Sequence, residues 1–212
     1  MNKKLLQLYA VTDRQWLKPG ETLASAVEAA IKGGVTLVQL REKHMDDKDF
    51  INEALEVKRV TDAYNIPLII NDNLNVCQAC DAAGIHIGQD DMSVIEVRRI
   101  LGPDKIIGVT AKTVEQAETA VKGGADYLGS GAMFGSSTKS EAKPMTLKEF
   151  QYIRQAVDVP IVLIGGIDAE NIHELKNSGA QGAAVVSGIF AKADVKKAAE
   201  ELKTLSLKIF PD

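Results

Sequence analysis

The stretch Thr36–His44, TLVQLREKH, opens as an apolar strand and closes in charge. Gln39, Arg41 and Lys43 fall at every second position. In a strand, that spacing turns an amide, a guanidinium and an ammonium to one face. Arginine brings a planar fork and lysine a point charge, a pairing suited to phosphate oxygens. Other apolar runs end in the same manner. One closes at Asn71-Asp72 inside IINDN, the next runs into Gln89-Asp90-Asp91, and IIGVT ends at Thr110. Further along, FGSSTKSEAKP carries small hydroxyl residues and Lys139, IVLIG leads into Gly165-Gly166, and AAVVS leads into Ser187-Gly188. Asp72 and Asp91 are hard oxygen ligands of the kind Mg²⁺ accepts while it also holds substrate phosphates. The glycine-containing ends let backbone amides approach an anion closely. The residue types describe two anion stations, one assisted by a metal and one built from backbone.

Other chemistries lack their residues. No G-x-S-x-G elbow is present, and no cysteine at the end of an apolar run is joined by a histidine. His86 alternates with Ile85 and Ile87 in an apolar run, which predicts a hydrogen-bonded core histidine. His44 and His173 read as surface residues. Cys77 and Cys80 are too few for a closed zinc site, and their helical spacing with Leu74 predicts buried small hydrophobes.

These polar ends need a scaffold that gathers them. Hydrophobic period gives strands at 8–12, 37–41, 68–71, 85–88, 106–110, 127–130, 161–165 and 183–187. Helical stretches alternate with them, at 22–32, 46–64, 74–82, 93–101, 113–122, 146–156, 168–177 and 193–205. KGGVT, AAGIH, KGGADY and SGAQGAA are expected to end a helix on glycine and open a strand. Most strands are short apolar runs, as in a parallel sheet covered on both faces. The repetition predicts α/β class and a single (β/α)8 TIM barrel spanning 1–212, whose chemistry sits at the carboxyl ends of its strands. An open doubly wound sheet is the alternative, but its glycine-rich fingerprint is missing after the first strand, AVTDRQW.

Composition is ordinary for a soluble globular protein. Of 212 residues, 45% are hydrophobic and 25% charged, and the formal charge is −4. A mildly acidic chain with no basic block argues against nucleic-acid binding, although a local cationic pocket is compatible with it. The amino-terminal run MNKKLLQLYAVTDRQW is interrupted by Gln7 and reaches Thr12-Asp13-Arg14 with no cleavage pattern. No segment has the length of a membrane span. The expected location is cytoplasmic, and a homo-oligomer is left open.

YAVTDR, VQLREK, IIND, HIGQDD, IIGVTA, GADYLG, the SSTK loop, IGGI and VVSGI occur in this order from Tyr9 to about Phe190. Together they resemble the thiamine phosphate synthase family. The resemblance implies a Mg²⁺-dependent transferase that joins hydroxymethylpyrimidine diphosphate to thiazole phosphate and releases pyrophosphate. It assigns Gln39, Arg41, Lys43, Asn71, Thr110 and Lys139 to the pyrimidine diphosphate, with Arg41, Lys43 and Lys139 acting on the leaving group. It assigns Asp72 and Asp91 to the metal, and Ser136, Ser137, Thr138, Gly166, Val186 and Ser187 to the thiazole phosphate. Ser136 and Thr110 exchange one hydroxyl residue for the other relative to the family pattern. Lys112 stands where the family has a polar or histidine side chain.

Three rivals keep a barrel. A thiazole tautomerase-type relative would lack much of the diphosphate set. A phosphosugar epimerase or isomerase would need acid and base groups such as Asp13 and Asp72 across a sugar carbon. A phosphate-binding regulator would bind without turnover.

Overall fold

The computed structural model describes residues 1–135 and 144–210. Eight strands close into a barrel in chain order: β1 (Leu8–Val11), β2 (Leu37–Leu40), β3 (Leu68–Asn71), β4 (Gly84–Ile87), β5 (Ile106–Thr110), β6 (Tyr127–Gly131), β7 (Ile161–Ile164) and β8 (Gly182–Val185). Every neighbouring pair is parallel, and β8 returns to β1 with Tyr9 opposite Ala184. That last pairing excludes the open sheet. The helices are α1 (Leu23–Lys32), α2 (Asp47–Ala63), α3 (Leu74–Ala79), α4 (Val94–Leu101), α5 (Val114–Lys122), α6 (Leu147–Ala156), α7 (Ser187–Phe190) and α8 (Val195–Ile209).

Strand alternation sorts the core into two parts. Leu8, Ala10, Val38, Leu40, Ile70, Ile85, Ile107, Leu128 and Leu163 face outward and are buried beneath the helices. Tyr9, Val11, Leu37, Ile69, Tyr127, Val162 and Ala184 face inward and fill the barrel. Both faces are therefore apolar over most of each strand, as the short unbroken runs predicted. Toward the carboxyl ends the inner face carries the polar side chains Gln39, Asn71, His86 and Thr110.

Helix starts fix the loops above those ends. Asp46, Asn73, Ser93, Thr113, Thr146 and Asp194 each accept the amide of the third residue onward, and Thr22 forms a full capping box with Ser25. Each cap satisfies an amide that the first helical turn leaves without a partner, worth about 1 kcal/mol.

The expected helix at 168–177 is instead a 3₁₀ turn at Ile172–Leu175. Asp168 Oδ1 accepts the amides of Glu170 and Asn171, Asn171 Oδ1 accepts that of Asp168, and Asn171 Nδ2 reaches the Gly166 carbonyl. These side chains take the amides that would start a helix. Three joints place a left-handed glycine where expected, at Gly34, Gly124 and Gly179. AAGIH does not: α3 ends at Ala79, Asp81 takes the left-handed turn (φ 50°), and Gly84 already lies in β4.

Candidate active site

A cavity of about 630 Å³ opens at the carboxyl ends of the strands, a size suited to small-molecule ligands. Gln39, Arg41, Lys43, Asn71, Asp72, Asp91, Thr110, Gly166, Val186 and Ser187 all line it. Ser136, Ser137, Thr138 and Lys139 lie outside the described residues. Tyr9, His86, Gln89 and Lys112 also line the cavity. Of these, Tyr9 carried no functional expectation, and its one signal was a phenol within an apolar strand.

On one side, the sequence Asn71-Asp72-Asn73 divides three tasks among adjacent residues. Asn71 completes β3, is 8% exposed, and has a buried Nδ2 with no hydrogen-bond partner among the described residues. Asn73 caps α3 through the Val76 amide and donates to Asp47 Oδ1 at 2.7 Å. Between them Asp72 is left-handed, with φ 61°, a conformation that costs a non-glycine residue on the order of 1 kcal/mol. The turn brings the Asp72 carboxylate to Lys43 Nζ, at 2.6 Å from Oδ2.

Asp91 approaches from the loop after β4, where its Oδ2 accepts the Gly88 amide at 2.6 Å. The two carboxylates feel each other. Burial pushes Asp91 above its ordinary value, opposed by the Gly88 amide, and Asp72 adds to the rise. Burial, the largest single influence, acts in the same direction on Asp72, but the hydrogen bonds that carboxylate receives, Lys43's first among them, together with the Lys43 charge outweigh it and hold the carboxyl below the usual range. Such a pair of oxygen donors, open to the cavity, fits Mg²⁺. Among the described residues no group of three or more His, Cys, Asp or Glu could hold a metal ion. A cation here would complete its shell with water or phosphate oxygens.

Across the cavity, β7 ends in Gly165 and Gly166, both left-handed at φ 104° and 64°. A Cβ on Gly165 would stand 2.4 Å from Ala132 Cβ, and one on Gly166 would stand 2.7 Å from the Phe134 carbonyl oxygen. Only glycine leaves this backbone open to a ligand. Phe134 donates its amide to the Gly165 carbonyl at 2.9 Å, which anchors the loop after β6 where it leaves the described residues. Val186 and Ser187 enter α7, whose first amides have no acceptor within the helix.

The residues weighed for other chemistries occupy other places. Asp13 caps the 3₁₀ turn Arg14–Trp16, accepts from Gln15, and does not line the cavity. An acid–base pair with Asp72 across a sugar carbon is therefore not assembled. Cys77 and Cys80 are free and buried, and burial pushes the Cys77 thiol up to about 12. His44 and His173 are exposed. His86 is hydrogen-bonded as expected, but it is half-buried and faces the cavity rather than the closed core. Among the described residues no helix is long and apolar enough to cross a membrane.

The profile of the family described as thiamine monophosphate synthase matches residues 8–189. A thiamine-phosphate synthase of Clostridium beijerinckii is 50% identical over 202 residues, covering 95% of this chain and 96% of the relative. One from Ruminiclostridium cellulolyticum is 51% identical over 195 residues, 92% of each chain. A solved thiamine phosphate pyrophosphorylase from Pyrococcus furiosus superposes with a TM-score of 0.89 at 32% identity, covering 98% of both chains. The match runs through the strands and loops that build the cavity, and the chain belongs to the thiamine monophosphate synthase family.

Proposed function

We infer that the cavity joins hydroxymethylpyrimidine diphosphate to thiazole phosphate, forming thiamine phosphate and releasing pyrophosphate. One observation carries the assignment of residues. A single cavity has Arg41, Lys43 and the Asp72–Asp91 pair on one side, and the Gly165-Gly166 and Val186-Ser187 backbone on the other. That arrangement suits two anionic substrates held face to face.

In this reading the pyrimidine diphosphate lies beneath Gln39, Asn71 and Thr110, with its phosphates toward Arg41, Lys43 and Lys139. The unpartnered Nδ2 of Asn71 supplies a donor to it. Asp72 and Asp91 hold Mg²⁺, which when bound supplies positive charge to the diphosphate oxygens. Ser136, Ser137 and Thr138, with Gly166, Val186 and Ser187, hold the thiazole phosphate. The thiazole nitrogen brings its own lone pair, so no side chain must remove a proton to make a nucleophile. A carbon–nitrogen bond forms as the methylene carbon–oxygen bond breaks, and the electron pair of the broken bond leaves with pyrophosphate. Arg41, Lys43 and Lys139 stabilise charge as it develops on that leaving group, where fixed cations are most effective.

The test is pyrophosphate release after mixing both substrates with Mg²⁺, compared with each substrate alone. Release is expected only from the complete mixture. Binding of both substrates without release would instead identify a phosphate-binding regulator. Binding of thiazole phosphate alone would favour a tautomerase-type relative.

A further inference from the structure

Five polar side chains from five strands form one hydrogen-bonded chain across the barrel. Gln39 Nε2 donates to Tyr9 Oη at 2.6 Å, and the Tyr9 and Tyr127 hydroxyls are 2.8 Å apart. Tyr127 Oη lies 3.0 Å from His86 Nδ1, and His86 Nε2 lies 3.0 Å from Thr110 Oγ1. The two ends, Gln39 and Thr110, line the cavity, whereas Tyr127 at the centre is fully buried and does not. The backbone makes room for the centre. A Cβ on Gly108 would stand 2.1 Å from Tyr127 Cζ and 2.5 Å from His86 Nδ1.

The protons along this chain are counted. Burial raises both phenols above their ordinary values, so each keeps its single proton. With Gln39 Nε2 donating, one arrangement gives both phenolic protons an acceptor within the chain. Tyr9 donates to Tyr127, Tyr127 donates to Nδ1, and a neutral His86 donates from Nε2 to Thr110. The Thr110 proton is then left for the cavity, and Gln39 offers its Oε1 there as an acceptor.

Resting on the reading of this cavity as an aminopyrimidine diphosphate site, we propose that the Tyr9–Tyr127–His86 relay sets pyrimidine specificity. It holds Gln39 as an acceptor and Thr110 as a donor, and so selects a ring edge carrying an amino group beside a bare ring nitrogen. A 4-oxo counterpart reverses both groups. The intact relay meets that reversal only if the amide turns, both phenols turn and the imidazole changes tautomer together. Tyr127 is thus a positioning residue, acting through Tyr9 on one end and through His86 on the other.

Tyr127→Phe cuts the relay at its centre and keeps the ring that fills the barrel. Calorimetry would measure binding of the 4-aminopyrimidine diphosphate, its 4-oxo counterpart and thiazole phosphate to wild type and variant. Wild type is expected to prefer the amino compound, and the variant to lose about tenfold of that preference, the size of one hydrogen bond. Thiazole phosphate affinity should stay unchanged, which general damage to the barrel would not permit. Tyr9→Phe cuts the next link and carries the same test if Tyr127→Phe does not fold. A wild type that binds both pyrimidines equally would overturn the proposal, as would an unaltered preference in the cut variant. If wild type does not bind the aminopyrimidine diphosphate, the functional reading itself falls, and the relay proposal falls with it.

Discussion

Lys43 binds Asp72 directly, and among the described residues Asp91 receives no comparable cation. That inequality is the main electrostatic fact of the site. An isolated carboxylate beside another carboxylate is held against its own preference, because burial and its neighbour both disfavour its charge. The position is retained at a cost that a bound cation would remove. Asp91→Asn keeps an oxygen for the Gly88 amide and removes the charge. In this variant, turnover should fall by about a hundredfold or more, the scale seen when one preorganised electrostatic partner is lost. Its melting temperature without metal should be equal to or above that of wild type. Turnover close to wild type across a Mg²⁺ titration would remove Asp91 from the metal site. A lower melting temperature would show that its charge supports the fold.

Most elements were legible in the sequence from their period, the helix expected at 168–177 being the exception. All eight strands were foreseen within about two residues, because each is an apolar run bounded by polar or glycine residues. Gln39, Arg41 and Lys43 share the cavity as expected, although β2 ends at Leu40 and Arg41 and Lys43 stand on the loop after it rather than on one strand face. Two features were hidden. The four-residue α7 (SGIF) is too short to show a helical period, and it was read as the end of a strand. The relay was hidden because Tyr9, His86 and Tyr127 each sit in an apolar strand, and only strand register brings their polar atoms together. α7 has a function-level consequence. A carboxylate at its first residue would face an anion held by Gly166 and the α7 amides, and would repel it. Ser187→Asp should weaken thiazole phosphate binding by about tenfold or more, given a few kcal/mol of unscreened repulsion at contact. Pyrimidine diphosphate binding should stay within about twofold. Equal weakening of both ligands in calorimetry would contradict the division of the cavity into two stations.

At the scale of the whole molecule, the parts that hold the barrel shut are distant in sequence and lie away from the chemistry. The chain closes where α8 returns to its own beginning. Lys203 Nζ donates to Gln7 Oε1 at 2.5 Å, and the Ser206 hydroxyl donates to the Gln7 carbonyl. α8 also lies against α1, so closely that a Cβ on Gly33 would meet the Lys196 carbonyl oxygen at 2.4 Å. Leu202 is fully buried at the centre of this seam, and it does not line the cavity. The rim of the cavity is built instead from the carboxyl ends of the strands and the loops that follow them, and none of its lining residues belongs to this seam. This separation predicts that stability and turnover can be changed independently. Leu202→Ala removes buried methyl groups and leaves a cavity, which costs roughly 2–5 kcal/mol. Urea unfolding should show that loss as a lower midpoint with an unchanged slope, since the surface exposed on unfolding is nearly the same. Measured well below the midpoint, its turnover per folded molecule should remain within about twofold of wild type. A large fall in turnover with the fold intact would mean that the α8 seam governs the geometry of the rim, and that the two ends of the barrel are coupled.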